Sequence, residues 1–218
     1  MLRLSEIFLS IQGEGPSAGT PAHFIRLQAC DVGCKWCDTK YSWEFAGGTQ
    51  IDFEELWERL RALGEAALLV VTGGEPLEHP GIALLLKEAL SRWERVEVET
   101  SGILPPPLCH PKLYYNVSPK LPSATPRWRE TWRHIDSWLG DRNGTFKIVV
   151  GDPPDLEDAR RLIAEHRIPS ARVILMPEGI TEARLRERAP ALADACKQYG
   201  FRFSPRLHVW LWGARRGV

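Results

Sequence analysis

Short apolar runs alternate along this chain with amphipathic segments of helical period, and few architectures accept that alternation. It is the pattern of parallel strands joined by crossing helices. Strand signals fall at residues 4–9, 23–28, 67–72, 96–100, 113–117, 145–150 and 171–176, with 202–204 as a short addition. About six are clear, too few in 218 residues for a complete eight-stranded barrel. The expected fold is α/β: a partial TIM-type βα barrel of about six parallel strands, open on one side, in a single domain over residues 1–218.

Helical periodicity fills the intervals. Phe53, Leu56, Trp57 and Leu60 share a face, with Asp52 as N-cap and Glu55 three residues on. Residues 82–90 form a second striped segment, and 156–165 follow Pro153-Pro154, which suits a helix start. Thr181 caps a longer pattern carrying Leu185, Ala189, Leu192 and Cys196, which Pro190 is expected to kink or interrupt. Residues 103–111 are Pro-rich and read as a loop. Residues 121–144 look like an insertion, with Trp128, Trp132, Ile135 and Leu139 at helical spacing. Basic residues between the tryptophans are compatible with RNA binding, but packing on the open barrel or a second subunit is the preferred reading.

Lys+Arg and Asp+Glu both total 28, so the formal net charge is zero. That excludes a global attraction to nucleic acid or to an anionic membrane. No run approaches the roughly 18 apolar residues of a membrane span. No signal peptide fits before Gln12, and a cytoplasmic location is expected.

Five cysteines are present, and three of them, Cys30, Cys34 and Cys37, fall in a polar loop directly after the strand at 23–28. An odd, clustered set argues for a metal and against a disulfide scaffold. Electron-carrying clusters use four cysteines, and structural zinc also wants a fourth ligand; Cys109, Cys196 or His23 could supply one, but none sits in a paired motif. Three thiolates leave one iron of a cluster open for a ligand, by the logic that separates catalytic from structural metal sites. Cys196 reads as buried and structural.

The Cys-x3-Cys-x2-Cys spacing, with Trp36 before the last cysteine, resembles the radical S-adenosylmethionine (SAM) superfamily. The resemblance implies a 4Fe-4S cluster whose open iron chelates the amino and carboxylate groups of SAM. One-electron reduction of bound SAM then yields a 5′-deoxyadenosyl radical. The strand at 67–72 runs into Gly73-Gly74-Glu75-Pro76, which resembles the superfamily's SAM amino-group motif.

The flanking residues resemble the 7-carboxy-7-deazaguanine synthase family: Ile11-Gln12-Gly13-Glu14-Gly15, Phe24-Ile25-Arg26-Leu27, Trp36-Cys37-Asp38-Thr39, Glu99-Thr100-Ser101-Gly102 and Asn116-Val117-Ser118-Pro119-Lys120. The family implies a carbon–nitrogen lyase of queuosine and 7-deazapurine biosynthesis. It converts 6-carboxy-5,6,7,8-tetrahydropterin to 7-carboxy-7-deazaguanine and ammonia with Mg²⁺, regenerating SAM. It also implies a homodimer and a flavodoxin- or ferredoxin-like electron donor, with no nucleic-acid or membrane partner. Carried over residue by residue, Cys30, Cys34 and Cys37 hold the cluster. Trp36, Cys37, Asp38, Gly74, Ser118, Pro119 and Lys120 meet SAM, with Glu99 placed to bond the ribose hydroxyls. The stretch Met176, Pro177, Glu178 and Gly179 also meets SAM, with Met where the family often has Gln. Ile11, Gln12, Gly13, Glu14, Arg26 and Thr72 meet the substrate: an amide reads a heterocycle edge and a guanidinium forks a carboxylate. The Thr39 hydroxyl is a Mg²⁺ ligand, completed by the substrate. No protein acid or base stands out. The ending resembles the family's, but Val218 stands where some members have a Pro near the substrate. A glycyl-radical activating enzyme, which shares the cysteine spacing, is the alternative within the superfamily.

Overall fold

Leu68, Leu69, Val70 and Val71 are all buried, as the middle of a parallel sheet covered on both faces requires. The computed structural model describes every residue except Ala214. Its strands are β1 (Leu2–Ile11), β2 (Pro21–Leu27), β3 (Thr49–Ile51), β4 (Leu68–Gly73), β5 (Arg95–Thr100), β6 (Leu113–Val117), β7 (Gly144–Val150), β8 (Val173–Pro177) and β9 (Arg202–Phe203). They form one sheet in the order β3-β1-β2-β4-β5-β6-β7-β8-β9. β2 through β9 pair in parallel, while β1 is antiparallel to both β2 and β3. The wall therefore has six full parallel strands plus the two-residue β9. Every strand expected from the sequence forms. The unanticipated β3 is short and mostly polar, and it exists through its pairing with Leu2–Leu4.

The sheet curls. Gly15, just past β1, donates its N–H to the Ser204 hydroxyl at 2.8 Å, and Leu207 N–H reaches the Gly13 carbonyl at 3.0 Å. Six strands lie between β1 and β9, and a flat sheet would hold them roughly 33 Å apart. Bonds between their ends require an incomplete barrel.

The helices are α1 (Phe53–Ala62), α2 (Ile82–Ala89), α3 (Trp128–Thr131), α4 (Ile135–Gly140), α5 (Pro153–Glu165), α6 (Glu182–Tyr199) and α7 (Leu207–Trp212). The expected caps form: Asp52 accepts the Glu55 N–H at 2.9 Å, and Thr181 that of Arg184 at 3.3 Å. Pro190 does not interrupt α6. It lies on the exposed side, where the carbonyl deprived of its N–H partner is left to water. Residues 103–111 form no helix, and the β5–β6 crossing is a loop.

Residues 121–144, which resembled an insertion, are the crossover from β6 to β7. Trp132, Ile135 and Trp138 are buried in the main core, with the Trp138 and Tyr115 rings 4.9 Å apart. Arg172 closes this segment by donating to the carbonyls of Trp138, Leu139, Asp141 and Gly144 at 2.7–2.8 Å, which satisfies orphan carbonyls at the end of α4.

Strand alternation sorts side chains by face. Val96, Val98, Tyr115, Phe146 and Ile148 point into the core beneath the helices. On the other face lie Phe24, Leu68 and Val70, with Phe8 stacked on Phe24. Glu97, Asn116 and Lys147 share that inner side and are buried. Trp138→Ala should lower stability by about 3–5 kcal/mol in urea titrations, the range for emptying a buried Trp site. A loss below about 1 kcal/mol would show that the 121–144 segment is not part of the core.

Candidate active site

The turn after β2 is held from three sides. Gln28 donates its amide to the carbonyls of Tyr41 and Glu44 at 3.2 and 2.9 Å. Ala29 takes a φ of +86°, unusual for a residue with a side chain. Its N–H reaches the Ser42 carbonyl, and its own carbonyl accepts from Glu75 N–H, both at 2.8 Å. Gly74 permits this approach: a Cβ there would lie 1.9 Å from the Ala29 oxygen and 2.8 Å from Cys30 Cβ. From the crossover, the Thr125 hydroxyl donates to the Val32 carbonyl at 2.6 Å and Arg127 to that of Asp31 at 2.6 Å.

Cys30, Cys34 and Cys37 are free thiols on the wall of one cavity. Burial pushes the Cys30 thiol up to about 11 and raises that of Cys34, the latter against the downward pull of Lys120. The Cys37 sulfur accepts from Trp43 Nε1 at 3.2 Å and from Thr39 N–H at 3.4 Å. Such donors suit a sulfur that carries charge in an iron–sulfur site. Among the described residues, no three His, Cys, Asp or Glu side chains gather as a single ion would need.

The cavity measures about 330 Å³ and lies at the carboxyl ends of the strands, where βα barrels bind ligands. Every residue expected to meet cluster, SAM, Mg²⁺ or substrate lines it except Pro177, which ends β8 and is buried. The Lys120 ammonium donates to the Ser118 hydroxyl at 3.1 Å. Arg26 gives its Nε to Glu6 at 2.7 Å, so the ion pair at a strand end is real. Its two Nη groups make no hydrogen bond with the described residues. The Thr39 hydroxyl does not cap the turn at Lys40–Ser42, and its one hydrogen-bond partner among the described residues is Cys37 Sγ at 3.5 Å. Glu178 is paired with Arg188 and with Arg184, and Met176 is buried without a polar side chain to offer.

Sequence reading missed Lys147, Arg206 and His208, which also line the cavity. Lys147 Nζ lies 2.6 Å from both Glu14 and Glu99. Arg206 donates to Glu14 at 2.9 Å, to the Gly179 carbonyl at 2.6 Å, and to Asp38. Burial alone would raise the Glu14 carboxyl, but Lys147, Arg206 and His208 together hold it well below the usual range. Glu99 ends above its usual value, because burial outweighs Lys147 there. Burial also keeps His208 below the ordinary imidazole value. The Glu99 carboxylate, expected to bond a ribose, is engaged by Lys147, by Asn116 at 2.9 Å and by Gln12 at 3.1 Å. The sequence did hold a signal for Lys147 and Glu99: charges at alternate positions in Val96-Glu97-Val98-Glu99 and beside Phe146 and Ile148. The chain's last residues reach the same cavity. Arg216 lies 3.6 Å over the Tyr41 ring, and Val218 lines the wall.

Comparisons with known proteins agree with this geometry. Residues 24–113 match the Radical SAM superfamily model. The 7-carboxy-7-deazaguanine synthase of Pyrobaculum aerophilum is 40% identical, over 99% of this chain and 97% of that protein. The one from Hyperthermus butylicus is 37% identical, over 96% and 92%. The crystal structure of QueE from Escherichia coli superposes with a TM-score of 0.67 at 27% identity, covering 94% of this chain and 93% of that one.

Two measurements probe the loop. Gly74→Ala should leave the protein folded by circular dichroism yet cut iron bound after anaerobic reconstitution at least about fivefold, since its methyl group displaces the Ala29–Cys30 backbone. Full iron loading would contradict that. In cluster-free protein, alkylation of Cys30 should be slow at pH 8 and speed up about tenfold per pH unit towards its pKa. A rate already at its plateau at pH 8 would show that burial does not govern this thiol.

Proposed function

The chain belongs to the 7-carboxy-7-deazaguanine synthase family, and on that footing we propose that it converts 6-carboxy-5,6,7,8-tetrahydropterin to 7-carboxy-7-deazaguanine and ammonia in a Mg²⁺-dependent reaction. As a radical SAM enzyme it uses a 4Fe-4S cluster and SAM. The observation that carries the proposal is the shared cavity: three thiols on one wall, and Gln12 and Arg26 on the same cavity from β1 and β2.

When bound, the cluster and SAM supply one-electron, hydrogen-abstracting chemistry. The protein's own residues position and enclose. Cys30, Cys34 and Cys37 anchor the cluster. Trp36, Asp38, Gly74 and Ser118–Lys120 surround the SAM position, with Lys120, whose charge is felt at the Cys34 thiol, suited to a carboxylate. Gly179 is joined to that wall through Arg206. Pro177, which is not in the wall, acts only by ending β8.

Substrate lies against Ile11, Gly13, Glu14 and Thr72. The free Nη groups of Arg26 fork its carboxylate, and Gln12 reads its heterocycle edge. Thr39 suits a Mg²⁺ ligand because, among the described residues, its hydroxyl is paired only with the Cys37 sulfur at 3.5 Å. One hydroxyl holds no ion alone, so the substrate carboxylate completes the site. The chain acts as one domain and as a homodimer, with a flavodoxin- or ferredoxin-like protein supplying electrons in the cytoplasm. No helix among the described residues is long and apolar enough to cross a membrane.

The direct test is anaerobic incubation of reconstituted protein with SAM, reductant, Mg²⁺ and the carboxytetrahydropterin. An ultraviolet-absorbing deazaguanine is expected, and its absence from protein with a full, SAM-responsive cluster would overturn the proposal. Thr39→Ala should keep iron content and SAM binding while losing most of the Mg²⁺ stimulation, about tenfold in rate for one lost ligand. Unchanged Mg²⁺ dependence would remove Thr39 from the site.

A further inference from the structure

An iron–sulfur cluster takes its reduction potential from its type, its net charge, the hydrogen bonds to its sulfurs and its exposure to solvent. Of these, the hydrogen bonds are what a single side chain can set. Two N–H donors reach the Cys37 sulfur, the Thr39 backbone at 3.4 Å and Trp43 Nε1 at 3.2 Å. Among the described residues, Trp43 is the only side chain whose N–H is hydrogen-bonded to the sulfur of Cys30, Cys34 or Cys37.

Trp43 is held too firmly for that contact to be incidental. Its carbonyl accepts the Cys30 N–H at 3.2 Å, so one residue bonds to two of the three cysteines. Its own N–H reaches the Lys40 carbonyl at 3.1 Å. The Gln28 amide clamps the chain on both sides of it, at the carbonyls of Tyr41 and Glu44. The Lys40 ammonium lies over the indole, 5.6 Å from the ring centre, a cation–π contact that holds the plane of the ring. The side chain lines the cavity wall, and its single indole N–H is given to this sulfur.

We propose that Trp43 sets the potential at which the cluster takes its electron, acting through Cys37. One electron enters from an external one-electron donor; the indole keeps its proton throughout, and no covalent bond forms or breaks. Reduction adds negative charge, part of it on the coordinating sulfurs. A fixed N–H aimed at one of them stabilises the reduced form more than the oxidised form. The potential is thereby raised, and a milder donor suffices. This rests on the 4Fe-4S reading above and is independent of which substrate the cavity takes.

The test is a redox titration of anaerobically reconstituted protein, without SAM or substrate, followed by the electron paramagnetic resonance signal of the reduced cluster. Trp43→Phe keeps an aromatic ring and removes the donor. At the potential where half of the wild-type clusters are reduced, this variant should show a reduced-to-oxidised ratio about tenfold lower, a midpoint about 59 mV more negative. A merely structural role predicts otherwise. Loosened packing admits water, which favours the more highly charged reduced form and moves the midpoint upward, or it costs iron while the remaining clusters keep their midpoint. A fall smaller than about threefold, or a rise, overturns the inference. Should Trp43→Phe take up no cluster, β-(3-benzothienyl)alanine at position 43 keeps the bicyclic shape and puts sulfur in place of the N–H. The same fall is expected there, and an unchanged ratio overturns the role of Trp43. If wild-type protein itself takes up no 4Fe-4S cluster, the radical SAM reading falls and takes this inference with it.

Discussion

The backbones that leave β2 and β4 stay paired beyond the last strand residues, and the cavity depends on that contact. Gly74 N–H reaches the Leu27 carbonyl at 3.0 Å and Glu75 N–H that of Ala29 at 2.8 Å. The cysteine loop and the glycine turn are thus delivered in fixed register, with no side chain between them. Glu75 then ties in a third strand. Its buried carboxylate accepts from the Thr100 hydroxyl at 2.6 Å, Ser101 N–H at 2.7 Å, the Ser101 hydroxyl at 2.6 Å and Leu77 N–H at 3.1 Å. No cation is paired with it among the described residues. Four donors make its burial tolerable, and one carboxylate locks the ends of β4 and β5 beside the thiols.

Around this knot the sheet is apolar on its outer side and mixed on its inner side. The outer side supplies the core under the helices. The inner side begins with Phe8, Phe24, Leu68 and Val70 and gives way to Glu97, Asn116, Glu99 and Lys147. The chain therefore separates the work of stability from that of recognition by strand alternation alone. The cost of desolvating the charges is offset by close, fully paired geometry, which also makes the arrangement rigid.

Much of this was legible in the sequence because the signals are local. The strands at 23–28 and 67–72, the cap at Asp52, the cysteine spacing and the Gly73–Pro76 turn each fit within a few residues. What escaped depends on the curl of the sheet. The Arg206–Glu14 bond joins residues 192 positions apart and Arg206–Asp38 joins residues 168 apart; no window along the chain holds both partners. That Pro190 would leave α6 uninterrupted was not legible, because its propensity says nothing of which side of the helix meets water. The tryptophans of residues 121–144 announced helices, but only the pairing of β6 with β7 makes that segment a crossover.

Six long parallel strands do not close a barrel, and here the gap is closed by side chains and turns. Beyond the two-residue β9, Leu207 donates to Gly13 at 3.0 Å, and Arg206 joins Glu14, Asp38 and Gly179. His208 packs against Gly13 so closely that a Cβ there would meet its Nδ1 at 2.1 Å. A seventh long strand in this place would have brought a ladder of backbone bonds and an alternating row of side chains. The short strand brings instead a guanidinium, an imidazole and the start of α7 to the cavity wall. An incomplete barrel thus supplies what a complete one lacks: a stretch of wall whose chemistry is set by individual side chains while the sheet behind it stays unchanged.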